Sequence, residues 1–321
     1  RALAGEPAVC SALAAALPAV FATIVTADAG LCEVLRKAEQ LARSRVPVLL
    51  LGETGVGKEE FAQGIHKAST HSEGPYVALN CGGLSRELLA SELFGYAEGA
   101  FTGARKGGLM GKIEAANGGT LFLDELGEMP LDLQPHLLRV LEQGEIYRLG
   151  ENAPRKVNFR LIAATHRDLR QEVAAGRFRM DLYYRVAVTS IRIPALRDRP
   201  GDVRLLASHF VEVFRVRHGL GPRRLDAAAV ARLEAYAWPG NVRELRNVIE
   251  SMVLMGEGER LGVELLPPEL SGDEAGVAGD ALPAAAAPAV RSIATGEAEL
   301  IRCAIAATRG NLTKAARELD I

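Results

Sequence analysis

An apolar run, three glycines and a lysine follow one another in Val46 to Lys58, VPVLLLGETGVGK, where Gly52, Gly57 and Lys58 stand in the spacing GxxxxGK. With Gly55 between them, glycines so placed let successive backbone N–H groups close on an anion. A helix beginning at Glu59 aims its positive N-terminus at the same point. Lys58 adds a point charge for the outer members of a phosphate chain. Where a generic loop of this kind has a Ser or Thr to hold Mg²⁺, this chain has Glu59, so the cation must lean on a carboxylate elsewhere. Gly118 to Glu125, GGTLFLDE, ends an apolar strand on two such groups. Asp124 is the natural magnesium partner, directly or through water, while Glu125 is suited to orient and deprotonate an attacking water. Strand alternation predicts that the two side chains point to opposite sides.

Several elements are needed to position these residues. Val48 to Leu51 read as a buried strand, with Pro47 tolerable only at its beginning. A helix with Leu31, Val34, Leu35, Ala38 and Leu41 on one face precedes it. After the loop come a strand from Tyr76 to Leu79 that ends on Asn80, and a helix around Ser85 to Phe94. Asp132 is expected to cap a helix with Leu133, Leu137, Leu138 and Leu141 as its stripe and Gly144 as its stop. Phe159 to Thr165 is a further buried strand, followed by His166. Strands separated by helices predict a doubly wound α/β layer with a parallel sheet, whose ligands lie beyond the carboxyl ends of the strands. Lys58, Asp124, Glu125 and Thr165 all fall at such ends. Arg197, Pro200 and Gly201 break the pattern, and from Asp202 the chain reads as all-helical. Asp226 and Asn241 are expected caps. In the last helix Val242, Leu245, Val248, Ile249, Met252 and Val253 make the core stripe, which leaves Arg243 free to face a nucleotide.

Composition narrows the class. The 321 residues are 48% hydrophobic and 24% charged, with a formal net charge of -2, so any contact with nucleic acid must be local. Cys10, Cys32, Cys81 and Cys303 form no CxxC pair and the six histidines are dispersed, so neither a zinc site nor a disulfide framework is suggested and a reducing cytoplasm is the natural compartment. Residues 7 to 27 carry no charge, but Pro7, Pro18 and many alanines make a poor membrane span. The chain opens on Arg1 and reads as a fragment of a longer protein. Residues 271 to 290, small and interrupted by proline, read as a flexible linker. Beyond it, Glu297 to Thr308 is an amphipathic helix, and Asn311 is placed to cap another.

Two stretches leave alternatives open. GAFTGA, Gly99 to Ala104, holds Phe101 and Thr102 among small residues, and the ring either folds into the core or is offered to a partner. RFRMDLYYR, Arg177 to Arg185, is rich in arginine. Arg179 and Arg185 are six apart and so do not share one helix face. They are either solvated surface or a cation supplied to a phosphate across a subunit boundary.

Taken in order, GETGVGKE, GAFTGA, GGTLFLDE, RFRMDLYYR and WPGNVRELRNVIE resemble the AAA+ domain of sigma-54-dependent transcription activators, the bacterial enhancer-binding proteins, over about residues 21 to 260. The resemblance implies an ATP-driven ring, usually a hexamer, that remodels the sigma-54 RNA polymerase promoter complex to its open form. Glu59 then matches the family's usual residue. ATP would be bound by Gly52, Glu53, Thr54, Gly55, Val56, Gly57, Lys58 and Glu59, with Thr165 as first sensor and Arg243 as second. Asp124 would serve Mg²⁺, Glu125 would activate water, and Asn80 would switch Glu125. Arg179 and Arg185 match the arginines that act on a neighbouring subunit, and Phe101 and Thr102 the loop that touches the sigma factor. His166 replaces the commoner Asn beside the sensor threonine, and no role is carried over to it. GNLTKAARELDI resembles the first half of a Fis-type helix-turn-helix, whose base-reading helix would lie beyond Ile321, so enhancer DNA would be bound by the full-length protein. With five basic and four acidic side chains, residues 291 to 321 have little attraction of their own for phosphate. The implied layout is a tail at 1–20, an α/β ATPase subdomain at 21–195, a helical lid at 196–265, a linker at 266–295 and the partial helix-turn-helix at 296–321. Two other readings are a different AAA+ remodelling ATPase, which has no use for GAFTGA, and a non-hydrolysing DNA-binding regulator, which has no need of Lys58 and Glu125.

Overall fold

The computed structural model describes residues 19–100 and 105–271. Phe101, Thr102, most of the 1–20 tail, most of the expected linker and the whole partial helix-turn-helix lie outside the described residues.

Five strands build one wholly parallel sheet: β1 (Val48–Leu51), β2 (Tyr76–Asn80), β3 (Thr120–Asp124), β4 (Arg160–Thr165) and β5 (Thr189–Arg192), in the spatial order β2-β3-β4-β1-β5. Alternation along these strands feeds two cores. Val48, Leu50, Phe122, Ile162, Ala164 and Ile191 pack toward α1 (Ala29–Ala42) and α2 (Lys58–Lys67). Leu49, Leu79, Leu121, Leu123, Leu161 and Ala163 pack on the other face, toward α3 (Arg86–Phe94), α4 (Gln134–Gln143) and the later α5 (Leu169–Ala174) and α6 (Met180–Val186). Burial of each large aliphatic side chain contributes about 1.5–3 kcal/mol relative to exposure, which holds both helix layers on the sheet. The doubly wound α/β fold expected from the sequence is the fold observed. Only β5 lacks a sequence signal, because Ile191 is its one buried residue and a single apolar position sets no period.

Polar anchors fix the elements nearest the site. Asp28 caps α1 by accepting from Leu31 N at 2.7 Å. The buried Arg160 guanidinium donates to the carbonyls of Leu41 (2.8 Å) and Ala42 (2.5 Å) at the end of that helix. Asp132 is not the cap of α4. Its carboxylate accepts from Arg86 Nε at 2.6 Å, and the position before the helix belongs to Leu133. Gln134, fully buried, donates to Met129 O (3.0 Å) and Arg177 O (3.1 Å) and accepts from Arg179 N (2.8 Å), tying the arginine-rich segment to α4.

The helical lid consists of α7 (Pro200–Arg217), α8 (Ala227–Ala235) and α9 (Asn241–Met255) around a core that includes Val203, Phe214, Leu233, Trp238, Leu245 and Ile249. Asp226 caps α8 through Ala229 N at 2.6 Å. A two-residue parallel pair, Arg224–Leu225 with Arg260–Leu261, closes the lid and is too short to announce itself in the sequence. Leu266 and Leu270, in the stretch expected to be linker, are buried in the lid core.

Candidate nucleotide-binding site

A cavity of about 780 Å³ opens between the carboxyl ends of the strands and the lid. Its lining combines the apolar Ile24, Val25, Leu206, Phe210 and Val242 with the polar Lys58, Glu59, Asn80, Asp124, Glu125 and His166.

The phosphate loop takes its shape from left-handed glycines, Gly55 at φ 81° and Gly57 at φ 104°. Gly55 is required twice over, since a Cβ there would lie 2.3 Å from the carbonyl oxygen of Gly240 in the lid. Lys58, the first residue of α2 and 6% exposed, folds back over the loop. Its ammonium donates to Gly52 O (2.9 Å), Glu53 O (3.3 Å) and Glu125 Oε1 (3.4 Å).

The acidic pair departs from the alternation expected of it. β3 stops at Asp124 because Glu125 turns left-handed, φ 50° and ψ 46°, so both carboxylates reach the same cavity. A non-glycine residue held there costs on the order of 1–3 kcal/mol, a strain that clusters at functional sites. Glu125 N donates to Asp124 Oδ1 at 3.0 Å, locking the turn. Burial, with the neighbouring charge of Glu125, pushes the Asp124 carboxyl above its ordinary value. For Glu125, burial pushes up, but the hydrogen bond from His166 and the charge of Lys58 outweigh it and hold this carboxyl below its ordinary value. The two carboxyls of the pair are thereby shifted in opposite directions, Asp124 up and Glu125 down.

His166 is the residue that sequence reasoning passed over. Its Nδ1 lies 2.6 Å from Glu125 Oε2, and its backbone N–H donates to the same oxygen at 3.3 Å. An ionised carboxylate only accepts, so Nδ1 carries the proton in this bond. The available sequence signal was its place one residue beyond the carboxyl end of β4. Thr165, by contrast, is fully buried, and its hydroxyl accepts from Arg167 N at 3.0 Å instead of lining the cavity. Asn80 lines the cavity, yet its side-chain oxygen accepts from Gly82 N at 2.7 Å, and its described hydrogen bonds include none to Glu125. Arg243 stands on the cavity wall at the start of α9, with Arg246 one turn on. Arg179 pairs with Asp181 at 2.6 Å, Arg185 donates to Leu141 O at 2.5 Å, and neither lines the cavity of its own chain.

The donor set fits a nucleotide with a magnesium ion. Among the described residues no group of three or more His, Cys, Asp and Glu side chains is arranged to hold a metal ion alone. Mg²⁺ keeps several waters and is bound through one or two carboxylates plus phosphate oxygens, which asks for little more than Asp124 beside a phosphate loop. No helix among the described residues is long and apolar enough to cross a membrane.

A parallel sheet with a phosphate loop after β1, carboxylates after β3 and a helical lid over the strand ends defines an AAA+ nucleotide-binding module. The sigma-54 interaction domain family matches residues 24–192 and the AAA+ ATPase lid domain family matches residues 197–281. This chain belongs to the sigma-54 interaction domain family. It is similar to a protein named limonene hydroxylase from Geobacillus stearothermophilus, 47% identical over 306 residues that make up 95% of this chain and 55% of that protein. It is also similar to the C4-dicarboxylate transport transcriptional regulatory protein DctD of Pseudomonas aeruginosa, 50% identical over 244 residues, 76% of this chain and 52% of DctD. Among solved structures, NtrX from Brucella abortus in complex with ADP superposes with a TM-score of 0.72 at 30% identity, covering 93% of this chain and 67% of NtrX. The chain spans about half the length of the curated relatives it matches.

Proposed function

We propose that this chain is the ATP-hydrolysing part of a sigma-54-dependent transcription activator, working in the cytoplasm as a ring of copies on the sigma-54 RNA polymerase holoenzyme. The observation that carries this reading is the meeting of Lys58, Asp124 and Glu125 in one cavity beneath the lid, within a stretch that matches the sigma-54 interaction domain. ATP binding is further supported by NtrX, a relative in fold and sequence that is described in complex with ADP. DctD, by its name a transcriptional regulator, supports the regulatory role. The hydroxylase name carried by another relative brings no chemistry here, because that match runs through the same nucleotide-binding module.

In this reading the loop amides and Lys58 hold the phosphates, and Asp124 holds Mg²⁺, which supplies charge neutralisation at the transferred phosphoryl group. Lys58, when it leaves Glu125 Oε1 for a phosphate, frees that oxygen to accept a proton from water. His166 meanwhile keeps the other oxygen fixed, so the base is both released and aimed. Arg243 approaches the nucleotide from the lid, and Arg179 or Arg185 serves the site of a neighbouring copy. Phe101 and Thr102 carry the movement to the sigma factor, and enhancer DNA belongs to the C-terminal domain of the full-length protein. The test is phosphate release measured against protein concentration and Mg²⁺, alongside opening of a sigma-54 promoter complex by parent and Phe101→Ala. Expected are turnover that rises faster than linearly with concentration, and a variant that hydrolyses ATP but opens no promoter. Absence of Mg²⁺-dependent hydrolysis at every concentration overturns the ATPase reading, and promoter opening by Phe101→Ala overturns the role of the loop.

A further inference from the structure

The lid occupies one edge of the phosphate loop. Thr54, Gly55 and Val56 line the cavity, while their three successive carbonyls are taken by the lid. Thr54 O accepts from Asn241 Nδ2 at 3.1 Å, Gly55 O from Arg243 N at 3.3 Å, and Val56 O from Arg199 at 3.5 Å. Glu53 completes the row with its side chain. Its carboxylate turns out of the cavity wall and receives a two-pronged bond from Arg197, Nη1 to Oε2 at 2.8 Å and Nη2 to Oε1 at 2.5 Å. Asn241 Nδ2 reaches the same Oε2 at 3.1 Å.

Asn241 is built for this contact. It is fully buried and held at φ 51°, and its Oδ1 accepts from Leu196 N at 2.8 Å, so one side chain joins the loop, the start of the lid and the first turn of α9. That role displaces the helix-capping one expected from the sequence, since Gly240 occupies the cap position. A non-glycine residue at positive φ in a core costs free energy that the surrounding contacts must offset. Besides local bonds to Trp238 O and Pro239 O, those contacts lead to the phosphate loop and to the entry of the lid.

A carboxylate beside a polyphosphate is unfavourable for binding by charge alone, so Glu53 is a poor nucleotide ligand. We infer that Glu53 is a positioning residue: with Arg197 and Asn241 it latches the lid to the carbonyl edge of the phosphate loop, making lid docking and nucleotide binding by the same loop mutually reinforcing. The inference rests on the nucleotide-binding reading of the cavity. Its physical basis is that Thr54, Gly55 and Val56 give their carbonyls to the lid while the same three residues line the cavity, so order imposed by one partner lowers the entropy cost of ordering them for the other. Coupling of this kind is reciprocal: nucleotide must tighten the lid as much as the lid tightens nucleotide.

The test is a double-mutant cycle on the exposed pair, Glu53→Gln, Arg197→Ala and the two combined in the full chain, read by binding of a fluorescent ADP and by hydrogen exchange of amides 241–245 with and without ADP. Each single variant is expected to weaken ADP binding within the roughly 5–150-fold range typical of site coupling, and the combined variant to be no worse than the weaker single one. ADP-induced protection at 241–245 should be lost in all three, although the ADP-free proteins unfold at nearly the same temperature. Parent-like ADP affinity in Glu53→Gln, or losses that add in the double variant, overturns the latch. Failure of the parent itself to bind ADP is a different result, and overturns the nucleotide site.

Discussion

Replacing Glu125 by Gln isolates the chemistry from the architecture. The carboxylate has two oxygens in use, Oε1 toward Lys58 at 3.4 Å and Oε2 toward His166 at 2.6 Å. An amide keeps one acceptor, so one of these contacts is lost, and a hydrogen bond to a charged group contributes about 1.5–3 kcal/mol. Against that loss stands removal of the Glu125 charge, which adds to burial in raising the Asp124 carboxyl. The net change in stability should therefore stay below about 2 kcal/mol. Turnover is another matter, since a general base supplies about 10²–10⁴ in rate, or roughly 2.7–5.4 kcal/mol of barrier at 1.36 kcal/mol per tenfold. Phosphate release at saturating ATP and Mg²⁺, with ADP affinity and thermal midpoint measured on the same preparations, separates the two effects. Turnover within tenfold of the parent, with ADP binding intact, would refute the assignment of Glu125 as base.

Three further outcomes are expected. His166→Ala should lower turnover by up to about 100-fold through a misaimed Glu125 while leaving ADP affinity within a few fold, and His166→Asn should recover part of the loss because its side chain again donates; a parent-like rate in His166→Ala removes the positioning role. Gly55→Ala places a side chain at φ 81° with its Cβ 2.3 Å from Gly240 O, so it should destabilise the protein by more than about 1 kcal/mol and weaken ADP binding, and an unchanged thermal midpoint counts against the close lid contact. Arg179→Ala and Arg185→Ala should each lose turnover although neither side chain lines its own cavity, and mixing Arg185→Ala with Lys58→Ala subunits should restore some of it; no rescue at any ratio, with both variants assembling, places the arginine's action within its own subunit.

Local chemistry made much of this site readable from the chain alone. Glycines at GxxxxGK have few uses other than backbone closure on an anion, and apolar runs of strand length between helical stripes lead to a parallel sheet whose carboxyl ends carry Lys58, Asp124 and Glu125. Those inferences need only spacing and period, and both survive without knowledge of neighbours. What the tertiary structure decided are matters of direction and distance between segments remote in sequence. Glu125 shares the cavity with Asp124 because a single left-handed φ of 50° ends the alternation, and period-two reasoning has no way to register one deviant residue. His166 is a partner of Glu125 because β3 and β4 are adjacent strands, bringing together residues 41 apart in the chain. Asn241 looks like a helix cap in isolation, and becomes a link between lid and phosphate loop because Glu53, 188 residues earlier, lies within 3.1 Å of it. Side-chain hydrogen bonds across such separations leave no periodic trace, so the partners of Glu53, Glu125 and Asn241 had to wait for the packed structure.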